Sequence, residues 1–397
     1  MKKYVKKIAF IILFFGCAFY FVLVRSATQA KDLVPEHSLK TDAVALPAVV
    51  IEKYSENLTK KIHRKLDSLL KRVHKRQDFH GTVLVAKNNK ILYQNQIGYA
   101  DFKKKLPLKE TSIFQLASVS KQFTAAAIMM LVEQKKLHLS DSVQSYFPNF
   151  PYEGVTIQNL LHHTAGLPNY FWLAEHEWEQ EHPPTNSEMM ELLASSKVQR
   201  FFKPGRNFDY SNTGYFVLAS IVEKISGTSF RTFLNTFIFE PLQMSNSYVY
   251  SFQKDSIHEN QLHGYGLYRG WRHIKIRSTV NDAVVGDKNI YTTAEDLFKW
   301  TVGLHSGTLL KKESLDLMYS KGETIYGRKI PYGFGFRIDS KKDNILYHHG
   351  RWNGFSTGLT QYINENLVVI VLEHSSYNGI KSLNRKIKKI VVENFEG

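Results

Sequence analysis

The chain has 397 residues, 43% hydrophobic and 22% charged, enough to bury one large core and too apolar for an intrinsically disordered protein. Its only cysteine, Cys17, excludes an intramolecular disulfide and a cysteine-built zinc site. A formal charge of +16 favours anionic surroundings, but much of the excess sits in the first seven residues and in a helix-like stretch at residues 60–76. No nucleic-acid recognition motif accompanies that charge, so a nucleic-acid partner is not expected.

Lys2, Lys3, Lys6 and Lys7 precede an uncharged, mostly apolar run at residues 8–24 that Arg25 closes. A run of about 17 residues outlasts a typical signal-peptide core and reaches the lower limit of a membrane span. Residues 1–25 are therefore expected to form an uncleaved signal-anchor, lysines on the cytoplasmic side and the remaining chain outside. Cleavage between Ser26 and Ala30, releasing a secreted or periplasmic protein, is the alternative. Residues 26–50 carry Pro35 and Pro47 without a helical period and read as a tether.

The catalytic domain is expected over residues 51–397. Ile51, Tyr54, Leu58, Ile62, Leu66, Leu69 and Val73 recur at spacings of three and four and predict an amphipathic helix. Residues 81–86 and 91–99 predict two strands joined at Asn88-Asn89, a hairpin turn by residue type. Farther on, a helix is expected to open near Ser118 and run through the apolar residues 125–132, and another covers 213–226. Residues 172–184 are acidic, aromatic and unpatterned, and read as a surface loop. Residues 345–349, 355–363 and 367–373 predict three more strands, and a last helix places Ile380, Leu383, Ile387, Ile390 and Val391 on one face. Five strands split between the two ends predict an α+β fold: one mainly antiparallel five-stranded sheet flanked by the terminal helices. Its sheet lobe would comprise about residues 51–115 and 285–397, with a helical lobe inserted at about 116–284.

Ser118 and Lys121 form a Ser-x-x-Lys pattern, which on a helix points both side chains the same way. Ser68 with Lys71 and Ser251 with Lys254 match it too. Context separates them, since Ser68 lies on a charged helix and Ser251 in a polar stretch, whereas Ser118 opens an apolar segment. A helix start there aims free backbone N–H groups at the hydroxyl, which suits a developing oxyanion. Tyr210-Ser211-Asn212 follows the loop signal Lys203-Pro204-Gly205 and offers a phenol and an amide to one cleft, whereas the same Tyr-x-Asn pattern at Tyr93 and Tyr362 falls in expected strands or a hairpin turn. His348-His349-Gly350 ends an expected strand and precedes Arg351; a second His-x-Gly, at His305, falls where a helix should end. Metal catalysis is not expected, because His162, His163, His176, Glu177 and His182 do not give His-Glu-x-x-His.

The order and spacing of these three elements, with Phe114-Gln115-Leu116-Ala117, His163-Thr164-Ala165-Gly166-Leu167-Pro168 and Gly286 through Thr292-Thr293-Ala294-Glu295-Asp296, resemble the serine β-lactamase and penicillin-binding protein superfamily, especially its class C-like branch. Within the last stretch, Thr292 and Glu295 have capping-box spacing. The resemblance implies an acyl-enzyme on Ser118, activated by Lys121 and Tyr210 jointly, with no cofactor or metal. It further implies an oxyanion hole from the backbone N–H groups of Ser118 and Arg351, and substrate contacts from Asn212, His348 and Gly350. Many members carry lysine where this chain has His348. Affinity for a carboxylate-bearing substrate should then weaken as pH rises through the histidine titration near 6.5.

A small-molecule or peptide acyl substrate is expected. The leading expectation is an extracytoplasmic D-alanyl-D-alanine-type peptidase or carboxypeptidase acting on cell-wall peptide; an esterase comes next and a β-lactamase third. A non-catalytic penicillin-binding or sensing module is the alternative of a different class. Oligomeric state is left open.

Overall fold

The run Leu-Val-Val-Ile-Val-Leu at 367–372 has no polar alternation, so a strand made from it must be covered on both faces. A computed structural model describes residues 51–250, 258–339, 341–342 and 344–395 and shows how. The expected anchor at 1–25, the tether at 26–50 and the Ser-x-x-Lys match at Ser251 lie outside the described residues. No described helix is long and apolar enough to cross a membrane.

Numbering only the elements used below, helix α1 (Glu56–Gln77) leads into the hairpin β1 (Gly81–Lys87) and β2 (Lys90–Ile97). Asn88 and Asn89 turn it with φ of 50° and 59°, the left-handed pair that asparagine tolerates. Helices α2 (Lys121–Glu133), α3 (Asn212–Ser226) and α4 (Ala294–His305) come from the middle of the chain. Strands β3 (Ile345–Trp352), β4 (Phe355–Tyr362) and β5 (Leu367–Glu373) and helix α5 (Ile380–Asn394) close it. The sheet order is β2-β1-β5-β4-β3, antiparallel throughout. Two-residue strands extend both edges to make seven: Glu52–Lys53 parallel to β2, and Arg337–Ile338 antiparallel to β3. The five expected strands are the five long ones; a two-residue strand carries no period to read.

Period-two alternation divides the strands between two cores. Val83 and Val85 of β1 and Val369 and Val371 of β5 face α1 and α5, joining Ile62, Leu66, Leu70, Leu383 and Ile387. Leu84, Ala86, Ile370 and Leu372 face the opposite way, into the larger core with α2, α3 and α4. The apolar period extended back to Ile51, but α1 begins at Glu56 because residues 52–53 pair with β2 instead.

A second small sheet, Phe114–Gln115, Ile290–Thr292 and Tyr248–Val249, ties the strand before Ser118 to the chain entering α4. The N-cap of α4 is Thr293, whose hydroxyl accepts from the Asp296 amide, one position later than the expected Thr292 and Glu295. The expected surface loop at 172–184 is helical at its start, where Tyr170–His176 forms two turns capped by Asn169. Tyr170, Leu173 and Ala174 bury one side of it, a stripe too short to stand out in sequence.

Because Ile387 is fully enclosed in the α1–α5 core, Ile387→Ala should cost about 2–5 kcal/mol. Val392→Ala, on the exposed side of the same helix, should cost under about 0.5 kcal/mol. Urea unfolding of both variants checks the contrast, and equal losses would contradict the assigned packing.

Candidate active site

Ser118 lies in a single 3-10 turn, Ala117–Ser120, that runs directly into α2. The first amides of such a turn have no intrahelical acceptor, so the Ser118 N–H is free to donate elsewhere. Ala117 holds φ at 48°, a left-handed conformation that costs an alanine about 1–2 kcal/mol. Neighbouring hydrogen bonds hold the turn. Leu116 N–H donates to the Ile290 carbonyl (2.8 Å), the Thr357 hydroxyl donates to the Leu116 carbonyl (2.6 Å), and Ser120 Oγ accepts from Ile290 N–H (3.1 Å). The turn also presses on β3 at Gly350, where a Cβ would stand 2.2 Å from the Leu116 carbonyl oxygen and 2.9 Å from Ala117 Cβ. The glycine is required by this close approach. Beyond Tyr347 the outer edge of β3 has no strand partner among the described residues, although the His349 carbonyl is taken by the His348 ring.

Lys121, one turn later, is 0% exposed. Its Nζ lies 2.8 Å from Asn212 Oδ1, 2.9 Å from the Asp287 carbonyl oxygen and 3.3 Å from Ser118 Oγ. Burial pushes the amine down to about 7, Asp287 works against that shift and the Arg337 guanidinium adds to it. A neutral amine has two N–H bonds and one lone pair. Asn212 and Asp287 take the two hydrogens, which leaves the lone pair for the Ser118 hydroxyl.

Tyr210 stands beside this amine, its ring centroid 5.0 Å from Lys121 Nζ. The loop that presents it is fixed by His163, which holds φ at 59°. His163 Nδ1 accepts from Ser211 N–H (3.1 Å) and its carbonyl accepts from Asp209 N–H (2.9 Å). Ser211 in turn caps α3, accepting from the Gly214 amide, so Asn212 opens the helix with its amide turned to Lys121. The Tyr210 hydroxyl is buried without a hydrogen-bond partner. Burial raises it above the ordinary phenol range, while the nearby Ser118 hydroxyl and Arg337 act to lower it. Ser118 is therefore close enough to influence the phenol without being aligned for a hydrogen bond in this resting arrangement.

His348 is buried behind Tyr210. Its Nδ1–H donates to the His349 carbonyl (2.9 Å) and its Nε2 accepts from the Tyr332 hydroxyl (3.0 Å), which occupies both ring nitrogens. Burial, then Arg337 and Lys121, hold it well below the usual imidazole range. The expected loss of carboxylate affinity through a histidine titration near 6.5 therefore has no basis, because His348 is already neutral there. Arg351 alternates to the other face of β3 and meets Asn378, leaving only its backbone for the cleft.

Two groups had no sequence signal. Arg337, on the two-residue edge strand, lies over Tyr210 (4.9 Å) and Tyr332 (5.7 Å) with no carboxylate partner among the described residues. Asp287 and Lys288 form a buried ion pair (3.1 Å) whose aspartate also accepts from the Tyr170 hydroxyl (3.1 Å). The Lys288 ammonium sits among the rings of Tyr170, Phe171 and Trp352 at 4.9–5.2 Å. Only the second group lay within a recognised stretch, and nothing in that stretch pointed it at Lys121.

The other sequence matches are occupied elsewhere. Ser68 Oγ donates to the Arg64 carbonyl on α1, Tyr93 and Asn95 both donate to Asp67, and His305 ends α4. Asp78, His80 and His273 bring three metal-type donor atoms within 4.8 Å. His80 Nδ1, however, accepts from Tyr99 N–H (3.1 Å), which puts the ring proton on Nε2, where it donates to Asp78 (3.0 Å). His273 donates to the other carboxylate oxygen (2.7 Å), so the set is a hydrogen-bonded clasp whose tautomer opposes a metal.

A profile of the family described as Beta-lactamase matches residues 66–391. Penicillin-binding protein 4* of Bacillus subtilis is 34% identical over 321 residues, covering 78% of this chain and 71% of that one. The crystal structure of a penicillin-binding protein from Bacillus halodurans superposes with a TM-score of 0.70 at 24% identity, over 81% of this chain and 98% of that one. EstCE1, described as a hydrolase with promiscuous acyltransferase activity, superposes with a TM-score of 0.66 at 22% identity, over 84% and 99%. At these identities the two structures support the fold alone.

Gly350→Ala should displace the Ser118 turn, costing about 1–3 kcal/mol of stability and about a hundredfold in any Ser118-dependent rate. Thermal melting and turnover measured together check this, and a variant matching the unsubstituted protein in both would contradict the close approach.

Proposed function

The chain belongs to the β-lactamase family, and on that premise we propose that it is a serine acyl-transfer hydrolase in which Ser118 is the nucleophile, Lys121 its base and Tyr210 the proton relay. One observation carries this reading: Lys121 is 0% exposed and its Nζ lies 2.8 Å from Asn212 Oδ1, 2.9 Å from the Asp287 carbonyl oxygen and 3.3 Å from Ser118 Oγ, so that in the neutral amine two acceptors take the hydrogens and the lone pair is left for the Ser118 hydroxyl. As Oγ attacks the acyl carbonyl, its proton passes to Nζ, and the oxyanion meets the Ser118 and Arg351 backbone N–H groups. Lys121 acts first because burial lowers an amine and raises a phenol, so at neutral pH only the amine has a usable lone pair. Tyr210, still protonated, then hands a proton to the leaving group as the C–O or C–N bond breaks, and recovers it from the Lys121 ammonium. Water completes hydrolysis of the acyl-enzyme. Asn212 keeps Lys121 in place and lines the cleft, and the open edge of β3 at His348–Gly350 offers backbone pairing to an extended substrate.

Arg337 favours a peptide ending in a carboxylate over a neutral ester. It is a cation beside Tyr210 with no acid partner among the described residues, and it replaces His348 as the anionic-group anchor. The substrate class proposed is therefore a D-alanyl-D-alanine-type peptide, cleaved outside the membrane after anchoring through residues 1–25. Esters and β-lactams remain competing acyl donors on the same apparatus.

A fluorescent penicillin or fluorophosphonate should label the wild-type protein and not Ser118→Ala; equal labelling of both would refute the nucleophile. With a neutral ester substrate, kcat/KM should rise with pH around 7 as Lys121 loses its proton. Asp287→Asn should move that limb to lower pH, because the lost carboxylate no longer favours the ammonium; an unmoved limb, or one above pH 9, would contradict Lys121 as the base. Arg337→Gln should raise KM for a carboxylate-terminated peptide about ten- to a hundredfold while leaving the neutral ester nearly unchanged. Equal effects on the two substrates would remove Arg337 as the anchor.

A further inference from the structure

Residues Tyr265–Tyr268 and Arg272–Lys275 form a two-stranded hairpin separate from both larger sheets, turned at Arg269 and Gly270 with φ of 52° and 79°. Its register separates two faces, since Tyr265 pairs with Lys275 and Leu267 with His273, whereas Gly266 pairs with Ile274 and Tyr268 with Arg272. The first face is engaged by the domain through Tyr265, His273 and Lys275, with Leu267 left 44% exposed. Tyr265 packs on Phe102 (4.6 Å), His273 stacks on Phe102 and bonds Asp78, and Lys275 pairs with Asp101 (3.4 Å).

The second face has no such cover among the described residues. Tyr268 is 48% exposed, Ile274 44%, and Trp271 at the tip 73%, with Ile276 lying over Gly266. Three cations, Arg269, Arg272 and Arg277, rim this apolar strip without an acid partner among the described residues, Arg269 lying over the Tyr268 ring (5.3 Å), and no aspartate or glutamate occurs between Glu259 and Asp282. Exposed tryptophan and tyrosine beside isoleucine, ringed by arginines, match the layering of a bilayer surface, where aromatic rings seat at headgroup level and guanidinium groups meet lipid phosphates.

We propose that this hairpin docks on an anionic phospholipid bilayer, seating Trp271, Tyr268 and Ile274 in the interface while Arg269, Arg272 and Arg277 contact the phosphates. The N-terminal apolar run at residues 8–24 would bring the domain to such a surface, and the hairpin would orient it there. Orientation matters for the cleft because the hairpin base leans on the turn that leaves β3. A Cβ at Gly264 would stand 1.7 Å from the Asn353 carbonyl oxygen, and one at Gly354 2.5 Å from the Tyr265 nitrogen. Docking would therefore hold the exit of the substrate strand close to the membrane.

Hydrogen exchange on the full-length protein tests this, in detergent, on phosphatidylcholine vesicles, and on vesicles with roughly one lipid in three replaced by phosphatidylglycerol. Amides 266–276 should exchange at least about fivefold more slowly on the phosphatidylglycerol vesicles than on phosphatidylcholine, a factor expected of a single cation near an anionic surface. The triple variant R269Q/R272Q/R277Q should lose that difference, and Trp271→Ser should reduce it, with exchange in α2 and the central strands unchanged. Equal exchange on the two vesicle types would overturn the proposal. So would protection already complete in detergent, which would mean that another part of this chain or a second copy covers the face.

Discussion

The arrangement around Ser118 depends on keeping water away from one amine. An ammonium enclosed as fully as Lys121 is costly to leave charged, and the protein relieves the cost by stabilising the neutral form. The rest of the site serves that condition. Helix α2 is buried from Lys121 through Leu131, the Asp287 carbonyl and Asn212 take the two N–H bonds, and Tyr210 and Tyr215 place their rings 5.0 and 5.5 Å from Nζ. Opposed charges trim the balance, with Asp287 favouring the ammonium and Arg337 disfavouring it. The aspartate is itself held by Lys288 and Tyr170, so the amine is adjusted through a network that never reaches Ser118 directly.

Close packing supplies the second condition. A turn with an alanine in left-handed geometry persists only where its surroundings leave no alternative. The Leu116 backbone is bonded on both sides, to Ile290 and to Thr357, while Gly350 lets the turn lie against β3. The strand that would pair with substrate and the turn that would attack it are thus positioned against each other by one missing side chain.

Much of this was legible in the sequence for identifiable reasons. Long strands declare themselves because β1 and β5 carry unbroken apolar runs at 83–86 and 367–372, and Asn88-Asn89 marks its own turn. Ser118, Lys121, Tyr210, Asn212 and Gly350 sit in short local patterns whose flanks set them apart from look-alikes at Ser68, Tyr93 and His305. What escaped depends on distance in space. Arg337 lies on an edge strand of two residues, and Asp287 and Lys288 matter through a carbonyl and a charge aimed at a helix more than 160 positions away. His348 was misjudged for a related reason: the reference value of an exposed imidazole says nothing of one enclosed by Tyr332 and its own strand. The early helix at Tyr170–His176 was lost because two turns do not establish a period.

The central claim is that Lys121 titrates near neutral pH, so that its neutral form is well populated in the resting protein. Heteronuclear NMR of selectively labelled lysine, with Lys121→Arg to assign the resonance, measures this directly. The account predicts a titration midpoint near 7 for the Lys121 side chain, well apart from the exposed lysines. A Lys121 signal that stays protonated until about pH 10, like an ordinary lysine, would contradict it.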